Sequence, residues 1–356
     1  MANSEIIRGL DIPAWYAHLE KINNYDVYYF PEYAKTCDLI EKGEMYLFVF
    51  EDNDHIFYYP FRMRCISDIQ ALSDYSGWYD ITTDYGYGGP IIWTYDGNVQ
   101  QTFIHNAIQC FNSFCQDQHI VTEFCRFHPL YENALNIRPY YDPIFCNKTV
   151  WVDLSLSEQA CFKQFRSGHR SDIRKANQHG IHVELCNFYE HLDTFYTLYI
   201  QTMQRVNASK FYFFKKEFFE STLKNLKNHS GLFVAMYQGV HVASGIYIWG
   251  HKWIHYHFGV VSREMGNIGA EANKALQYYV MMWGKNKGLE KLHLGGGAGG
   301  SDTDSLMFFK SGFSSQRAEF YIAKKIHNSD MYRKLCEAVN MPETNSFFPA
   351  YRAIER

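Results

Sequence analysis

Leu47-Phe-Val-Phe-Glu-Asp-Asn-Asp-His-Ile-Phe-Tyr-Tyr-Pro60 can be laid over Leu232-Phe-Val-Ala-Met-Tyr-Gln-Gly-Val-His-Val-Ala-Ser-Gly245 without a gap. Each segment reads as an apolar strand, a tight polar turn and a second strand. The likeness continues downstream. Glycines cluster at 86–89 and again at 266–269, helical patterns cover 98–118 and 270–287, and short apolar strands follow at 121–126 and 289–294. This spacing predicts a duplicated unit made of helices, an antiparallel hairpin or meander, a glycine-bearing loop, a helix and a further strand. Hairpins in place of βαβ crossovers point to a mixed α/β class, α+β-like, with each half a mixed sheet flanked by helices. No linker marks a boundary. It is expected near Val150, where Thr149-Val-Trp-Val-Asp-Leu154 reads as a strand and Ser157 opens a long helix. That gives domains at 1–150 and 151–356, with the last 30 or so residues free to pack back on the first.

The chemistry-bearing stretch is the run from Lys291 to Phe313, an apolar strand, a glycine loop and an amphipathic helix with one lysine. Gly295, Gly296 and Gly297 allow backbone N–H groups to approach a ligand, and the helix adds a positive dipole end and the cation Lys310. That layout suits a negatively charged group. The run contains a G-x-G-x-x-G at Gly295, Gly297 and Gly300, but a dinucleotide fold needs further βαβ units after its fingerprint and only a short tail follows. A phosphate-binding P-loop is excluded because no Gly-Lys-Ser/Thr follows the glycines. The bland alternative is a strand-to-helix connection in which Ser301 and Asp304 form a capping-box-like start. The helix is expected to turn Leu306, Phe309 and Phe313 to the core and Lys310 to a cleft.

Arg166, Arg170 and Arg174 recur at four-residue spacing, as along one helix face, and Thr202-Met-Gln-Arg205-Val-Asn-Ala-Ser-Lys210-Phe-Tyr-Phe-Phe-Lys215-Lys216 mixes cations with aromatics. Two neighbouring basic segments favour an anionic ligand such as a diphosphate or an RNA end, against the alternative of a solvated stripe. In Trp253-Ile-His-Tyr-His-Phe-Gly259, alternation puts His255 and His257 on one face and Tyr256 on the other. Lacking a third ligand of matching placement, the histidines read as structural, no metal is expected, and Tyr256 is the functional candidate. Asp84-Tyr85-Gly-Tyr87-Gly-Gly-Pro90 is a turn-rich loop whose Tyr85 and Tyr87 could meet a substrate or serve only the turn.

The 356 residues suffice for two ordinary domains, and 18% of them are aromatic. A formal net charge of -4 argues against indiscriminate nucleic-acid binding while leaving room for a local basic patch. Nine cysteines without a C-x-x-C pair fit a reduced compartment, and neither a secretory leader nor a membrane-spanning run is read. A cytoplasmic location is therefore expected. No nucleophile elbow or H-E-x-x-H is present, so the chemistry is expected to need neither a protein nucleophile nor a metal.

Several of these stretches together resemble the FemABX-type acyltransferases, including proteins with a BioF2-like acetyltransferase domain, which are related to the GNAT superfamily. They are Arg170-Ser-Asp-Ile-Arg-Lys-Ala176, Thr202-Met-Gln-Arg205-Val-Asn-Ala208, the Tyr256 strand, Leu294-Gly-Gly-Gly297 with Asp304-Ser-Leu, and Phe309-Lys310. Asp84 to Pro90 and Arg126-Phe-His-Pro-Leu130 extend the likeness into the first half. Separately, Arg263-Glu-Met-Gly266-Asn-Ile-Gly269 resembles the GNAT pyrophosphate loop, with one extra residue before the second glycine. The resemblance implies two tandem GNAT-like domains and an acyltransferase that moves an aminoacyl or acyl group onto an amine of a small-molecule or cell-envelope precursor, phosphorylated in the leading reading. It implies no tightly bound cofactor, with aminoacyl-tRNA or acyl-CoA as co-substrate and the acceptor end of tRNA as a partner in the first case. By position Arg205 resembles a phosphate-binding arginine and Lys310 the cation near the reacting carbonyl. The attacking amine must also lose a proton, for which Asp304 and Tyr256 are the candidate acceptors on the chain, with substrate phosphate or solvent as the alternative. Acyl-CoA-dependent N-acylation of a sugar or natural product, and a non-catalytic binder of a phosphorylated ligand, are the alternatives.

Overall fold

The computed structural model describes residues 3–52, 54–297 and 304–355. They form two compact units, the first from residues 1–23, 28–146 and 319–356 and the second from 24–27 and 147–318. Residues 319–356 thus cluster with the beginning of the chain.

The first unit contains β1 (Asn3–Arg8), α1 (Ile12–Leu19), α2 (Pro31–Cys37), β2 (Glu44–Asp52), β3 (His55–Cys65), β4 (Tyr79–Thr82), β5 (Ile91–Thr94), α3 (Gln101–Asp117), β6 (Ile120–Arg126) and α4 (Asn133–Asn136). Its strands run in the order β1-β2-β3-β4-β6, with β5 on β3, and β6 pairs in turn with the strand Arg317–Ile326. Among the described strand pairs of this unit only β4 and β6 are parallel. The hairpin β2/β3 is buried because its aromatics meet α3, whose apolar residues Phe103, Ile104, Ala107, Ile108, Phe111 and Cys115 follow helical spacing. Phe111 packs on Phe48, Tyr59 and Phe61 at centroid distances of 5.1, 5.2 and 5.6 Å.

The second unit contains β7 (Ile144–Asp153), α5 (Glu158–Gln164), α6 (Ser167–Gln178), β8 (His182–Cys186), α7 (Phe188–Arg205), α8 (Lys216–Asn225), β9 (Ser230–Tyr237), β10 (Val240–Trp249), β11 (Trp253–Val261), α9 (Gly266–Asn286), β12 (Lys291–Gly295) and α10 (Ser305–Ser311). The strand that completes the first unit's sheet is β13 (Arg317–Ile326), followed by α11 (Ser329–Ala338). In the second unit the order is β8-β9-β10-β11-β12-β7, and among its described strand pairs only β11 and β12 are parallel. Helices α9 and α6 cover one face with Leu276, Val280, Ile173 and Ala176 against Val152, Phe233 and Ile254. The aromatics of α7 and α8, Tyr199, Phe218 and Phe219, gather around Phe258.

Strand for strand, β1-β2-β3-β4-β6-β13 matches β8-β9-β10-β11-β12-β7, each with one parallel pair at the same place and one helix, α3 or α9, before the strand that forms it. The duplication read from the two hairpins is therefore a duplication of topology. One local expectation fails. Ser157 caps its helix, accepting from Ala160 N at 3.2 Å, but the helix stops at Gln164. Phe165 takes an extended conformation to bury its ring against Phe313, and Arg166 N donates to Gly312 O at 2.8 Å. Arg166 thus precedes α6 and only Arg170 and Arg174 lie on that helix.

Candidate active site

The parallel pairing of β11 and β12 extends only through Trp253↔Lys291, Ile254↔Leu292 and His255↔His293. Beyond it β11 continues to Val261 while β12 ends at Gly295, so the ladder between the two strands opens there. Tyr256 is the first residue of β11 past the last pair. Its ring lies along its own strand over Gly245 and Gly259, a cross-strand pair. A Cβ at Gly259 would overlap the Tyr256 hydroxyl, so the glycine is a requirement of the tyrosine's position. Burial alone pushes this phenol well above its ordinary range, which keeps it protonated and a hydrogen-bond donor.

The register of β10 on β11 shifts here, since Ile246 faces Phe258 and Tyr247 faces Tyr256. His257 is the extra residue of a bulge. The insertion turns Phe258 away from the face of Tyr256, and it joins the α7 and α8 aromatics. Strict alternation cannot reveal such an insertion. His255 Nε2 donates to Asp26 Oδ2 at 2.7 Å, and its Nδ1 lies 3.2 Å from His293 Nδ1. Burial, then the neighbouring His255, pushes His257 down to about 3.

Lys310 lies in the last turn of the seven-residue α10, later than expected, with its side chain buried. Its Nζ donates to Gly296 O at 2.7 Å and stands 5.9 Å from the Tyr256 ring centroid. Burial pushes the ammonium down to about 8 against the opposing charge of Asp304. Asp304 is the N-cap of α10, its Oδ1 accepting from Met307 N at 2.8 Å. Its Oδ2 is buried and has no hydrogen-bond partner among the described residues. A Cβ on Gly297 would overlap that carboxylate, and Gly295 turns the chain at φ +74°. Gly295, Gly296 and Gly297 are thus required by turn and close approach, whereas Gly300 and Ser301 lie outside the described residues. The helix faces are partly as expected. Phe313 is buried and Phe309 packs on the core, but Leu306 is exposed and Met307 takes the core position. The cap at Asp304 fixes that phase.

Asn147 was not anticipated. Its Oδ1 is buried without a partner among the described residues, and it would lie 3.0 Å from a Cβ on Gly296. An asparagine on a strand carries no sequence signal of such a place. Lys310, Tyr256, Asp304 and the glycines therefore form one constellation.

The arginines divide. Arg205 ends α7 with its side chain exposed, and burial, then the charge of Arg263, hold its pKa below the usual arginine value. Arg263, which precedes the α9 N-terminus, is thus near enough to Arg205 to repel it. Arg170 donates instead to the carbonyls of Lys163 and Phe165, capping the end of α5. Arg174 lies 5.5 Å from the Phe162 ring. Tyr85 and Tyr87 belong to the first unit. Tyr33 donates to Tyr85 O at 2.7 Å, and the Tyr87 ring meets Tyr28, His128 and Phe320 at 5.4, 5.7 and 5.3 Å. Beneath them burial pushes Asp84 up to about 6 against the pull of Arg62, which donates to it at 2.7 Å.

Comparison with known proteins bears on the family and the fold. Residues 148–239 match the FemAB family. The fold is similar to the crystal structure of FemX, at a TM-score of 0.67 and 13% identity over 93% of this chain and 99% of that one. It is also similar to L-PGS from Bacillus licheniformis, at 0.56 and 15% over 94% and 98%, and to the C-terminal domain of a putative lysylphosphatidylglycerol synthetase from Agrobacterium fabrum, at 0.51 and 11% over 88% and 91%. No curated protein matches the chain in sequence. Over residues 148–239 the sequence is thus similar to the FemAB family, and the tandem mixed sheets share the fold of FemX; this likeness supports an acyltransferase. No helix among the described residues is long and apolar enough to cross a membrane.

Proposed function

We propose that this chain is an aminoacyltransferase that takes its aminoacyl group from aminoacyl-tRNA and transfers it to the amine of a small-molecule or cell-envelope precursor. The observation that carries this reading is the buried Lys310 ammonium at the opening between β11 and β12, beside Tyr256. The amine lone pair attacks the ester carbonyl carbon, and the oxyanion that forms is stabilised by Lys310 and by the Tyr256 hydroxyl. The unpaired Asp304 Oδ2 accepts the proton that leaves the amine. Collapse of the tetrahedral intermediate breaks the ester C–O bond, the departing ribose oxygen takes the proton back from Asp304, and an amide is left. The FemAB match supports aminoacyl over simple acyl transfer, as does the likeness to proteins named for lysylphosphatidylglycerol synthesis.

The test exploits the stability of the product. Total tRNA charged with labelled amino acids is incubated with the protein and an extract of amine-bearing precursors, in parallel with labelled acetyl-CoA. Label from aminoacyl-tRNA should pass into a product that survives mild base, as an amide does and an ester does not. Label passing only from acetyl-CoA would select the acyl-CoA reading. Acceptor binding without transfer from either donor would select the binder.

Arg205 is assigned a phosphate of donor or acceptor. Arg205→Ala should weaken binding of that substrate by about tenfold or more, as loss of a charge-assisted hydrogen bond of about 1.5–3 kcal/mol does. Arg170→Ala should leave binding unchanged, because its guanidinium is already committed to carbonyls. Titration calorimetry with both variants checks the pair, and equal affinities for Arg205→Ala and the parent would place the phosphate elsewhere.

A further inference from the structure

Between Asp193 and Glu217 the chain holds no acidic residue but carries Arg205, Lys210, Lys215 and Lys216, in a protein whose net charge is -4. Of these, Lys216 pairs with Asp193 at 2.6 Å. Lys210 and Lys215 are exposed and stand in the connection from α7 to α8, on either side of Phe211, Tyr212 and Phe213. These three aromatics are 41%, 44% and 38% exposed, and Val206 at the start of the connection is 58% exposed. Burying such side chains is the rule in a soluble domain, so a contiguous outward set of them is the informative exception.

The set is held rather than loose. Phe214, next in the chain, is buried and packs on Phe218 at 4.9 Å and on Phe258 at 6.0 Å. The Tyr199 hydroxyl donates to Tyr212 O, and a 3₁₀ turn over Lys210–Tyr212 fixes the backbone. Phe214 therefore pins the base of the connection while its three neighbours keep a large share of their surface exposed, flanked by ammonium groups.

We infer that the connection 206–215 is a membrane-docking surface, which lays Val206, Phe211, Tyr212 and Phe213 into the interface of an anionic phospholipid bilayer while Lys210 and Lys215 contact the lipid phosphates. Aliphatic and phenyl groups gain by entering the boundary between headgroups and acyl chains, tyrosine is at home at that depth, and lysines near an anionic surface add electrostatic attraction. The surface fits a bilayer better than single-stranded RNA. Phenylalanine and valine offer nothing to a base edge, and Val206, the most exposed of the four, gives a base no ring to stack on. The inference does not depend on which acyl group the protein moves.

Vesicle co-sedimentation tests it, using the whole protein with vesicles of phosphatidylcholine alone and of phosphatidylcholine mixed equally with phosphatidylglycerol. The parent should sediment with the mixed vesicles and stay in solution with the neutral ones. Lys210→Gln with Lys215→Gln should weaken partitioning roughly thirtyfold, at about fivefold for each charge near the surface. Phe211→Ser with Phe213→Ser should abolish the part of binding that persists at high salt. All four positions are exposed, and unchanged melting of the lysine variant confirms that it is folded. No sedimentation with mixed vesicles, or equal sedimentation of parent and both variants, would overturn the inference. So would vesicle binding unaffected by substitutions that abolish binding of a single-stranded RNA oligonucleotide.

Discussion

Lys310→Met should lower turnover by about two orders of magnitude while the protein melts no lower than the parent. The first half of that expectation comes from the oxyanion. One pre-placed donor in a water-excluded site contributes roughly 3–4 kcal/mol to the transition state, and methionine keeps the length of the stem while removing the charge. The second half comes from burial. A lysine pushed down from 10.5 to about 8 is an ammonium that folding disfavours, so at neutral pH the parent carries a cost that methionine lacks. The sign is that of a folded pKa below the unfolded one, and the cost disappears only as pH rises through 8 towards 10.5. Catalysis runs the other way. Because the charged form stabilises the oxyanion, the rate should fall on the alkaline side with an apparent pKa near 8, and the methionine variant should lose that limb. A folded Lys310→Met that transfers at the parental rate, or a parental rate still rising well above pH 8, would remove Lys310 from the chemistry.

What the sequence showed of this site follows from what is local in it. The glycines, Asp304 and Lys310 lie within one strand-loop-helix run, and their roles follow from chain direction and spacing: a turn at Gly295, a cap at Asp304, a cation after it. The duplicated hairpins made the fold legible for the same reason, since period-two alternation is written directly in residues 47–60 and 232–245. What stayed hidden depends on register and on distant packing. The bulge at His257 adds one residue to β11 and turns Phe258 away from its expected face, and no side chain announces it. Arg170 looked like a free cation until the break at Phe165 exposed carbonyls for it to cap. Asn147 is a plain asparagine on a strand until Gly296 comes beside it. Leu306 and Met307 differ little in apolarity, so the cap at Asp304, rather than hydropathy, decided which was buried.

Arg352→Ala should destabilise the first unit by about 3–5 kcal/mol, because it removes one partner of a fully buried charge. Asp80 on β4 is buried and receives Arg352 Nε at 2.6 Å and the Tyr351 hydroxyl at 3.0 Å on Oδ2, with Arg64 Nε at 2.6 Å on Oδ1. Arg352 also donates to Cys65 O at 3.1 Å, so one guanidinium ties the chain's end to β3 and β4. Tyr332, Leu335 and Tyr351 pack around it on Ile66, Leu72 and Val121. Removing Arg352 leaves the carboxylate with Arg64 and the Tyr351 hydroxyl, placing the loss nearer the lower end of the range. For a unit of this size each kcal/mol corresponds to a shift of about 2–4 °C, so melting of the first unit should come earlier by roughly 6–12 °C. Asp80 also sets an acid limit. Burial pushes its pKa up, but the charges of Arg352 and Arg64 and their hydrogen bonds outweigh that and leave it below the ordinary value. Its folded pKa is thus lower than its unfolded one, and its contribution is full above about pH 4 and is lost as pH falls through the folded value. The parent should therefore lose stability steeply below pH 4, whereas Asp80→Asn should be less stable at neutral pH with a flatter acid limb. Thermal melts of parent, Arg352→Ala and Asp80→Asn across pH 3–7 decide it, and an Arg352→Ala protein that melts with the parent would mean that the apolar cluster alone holds the chain's end in place.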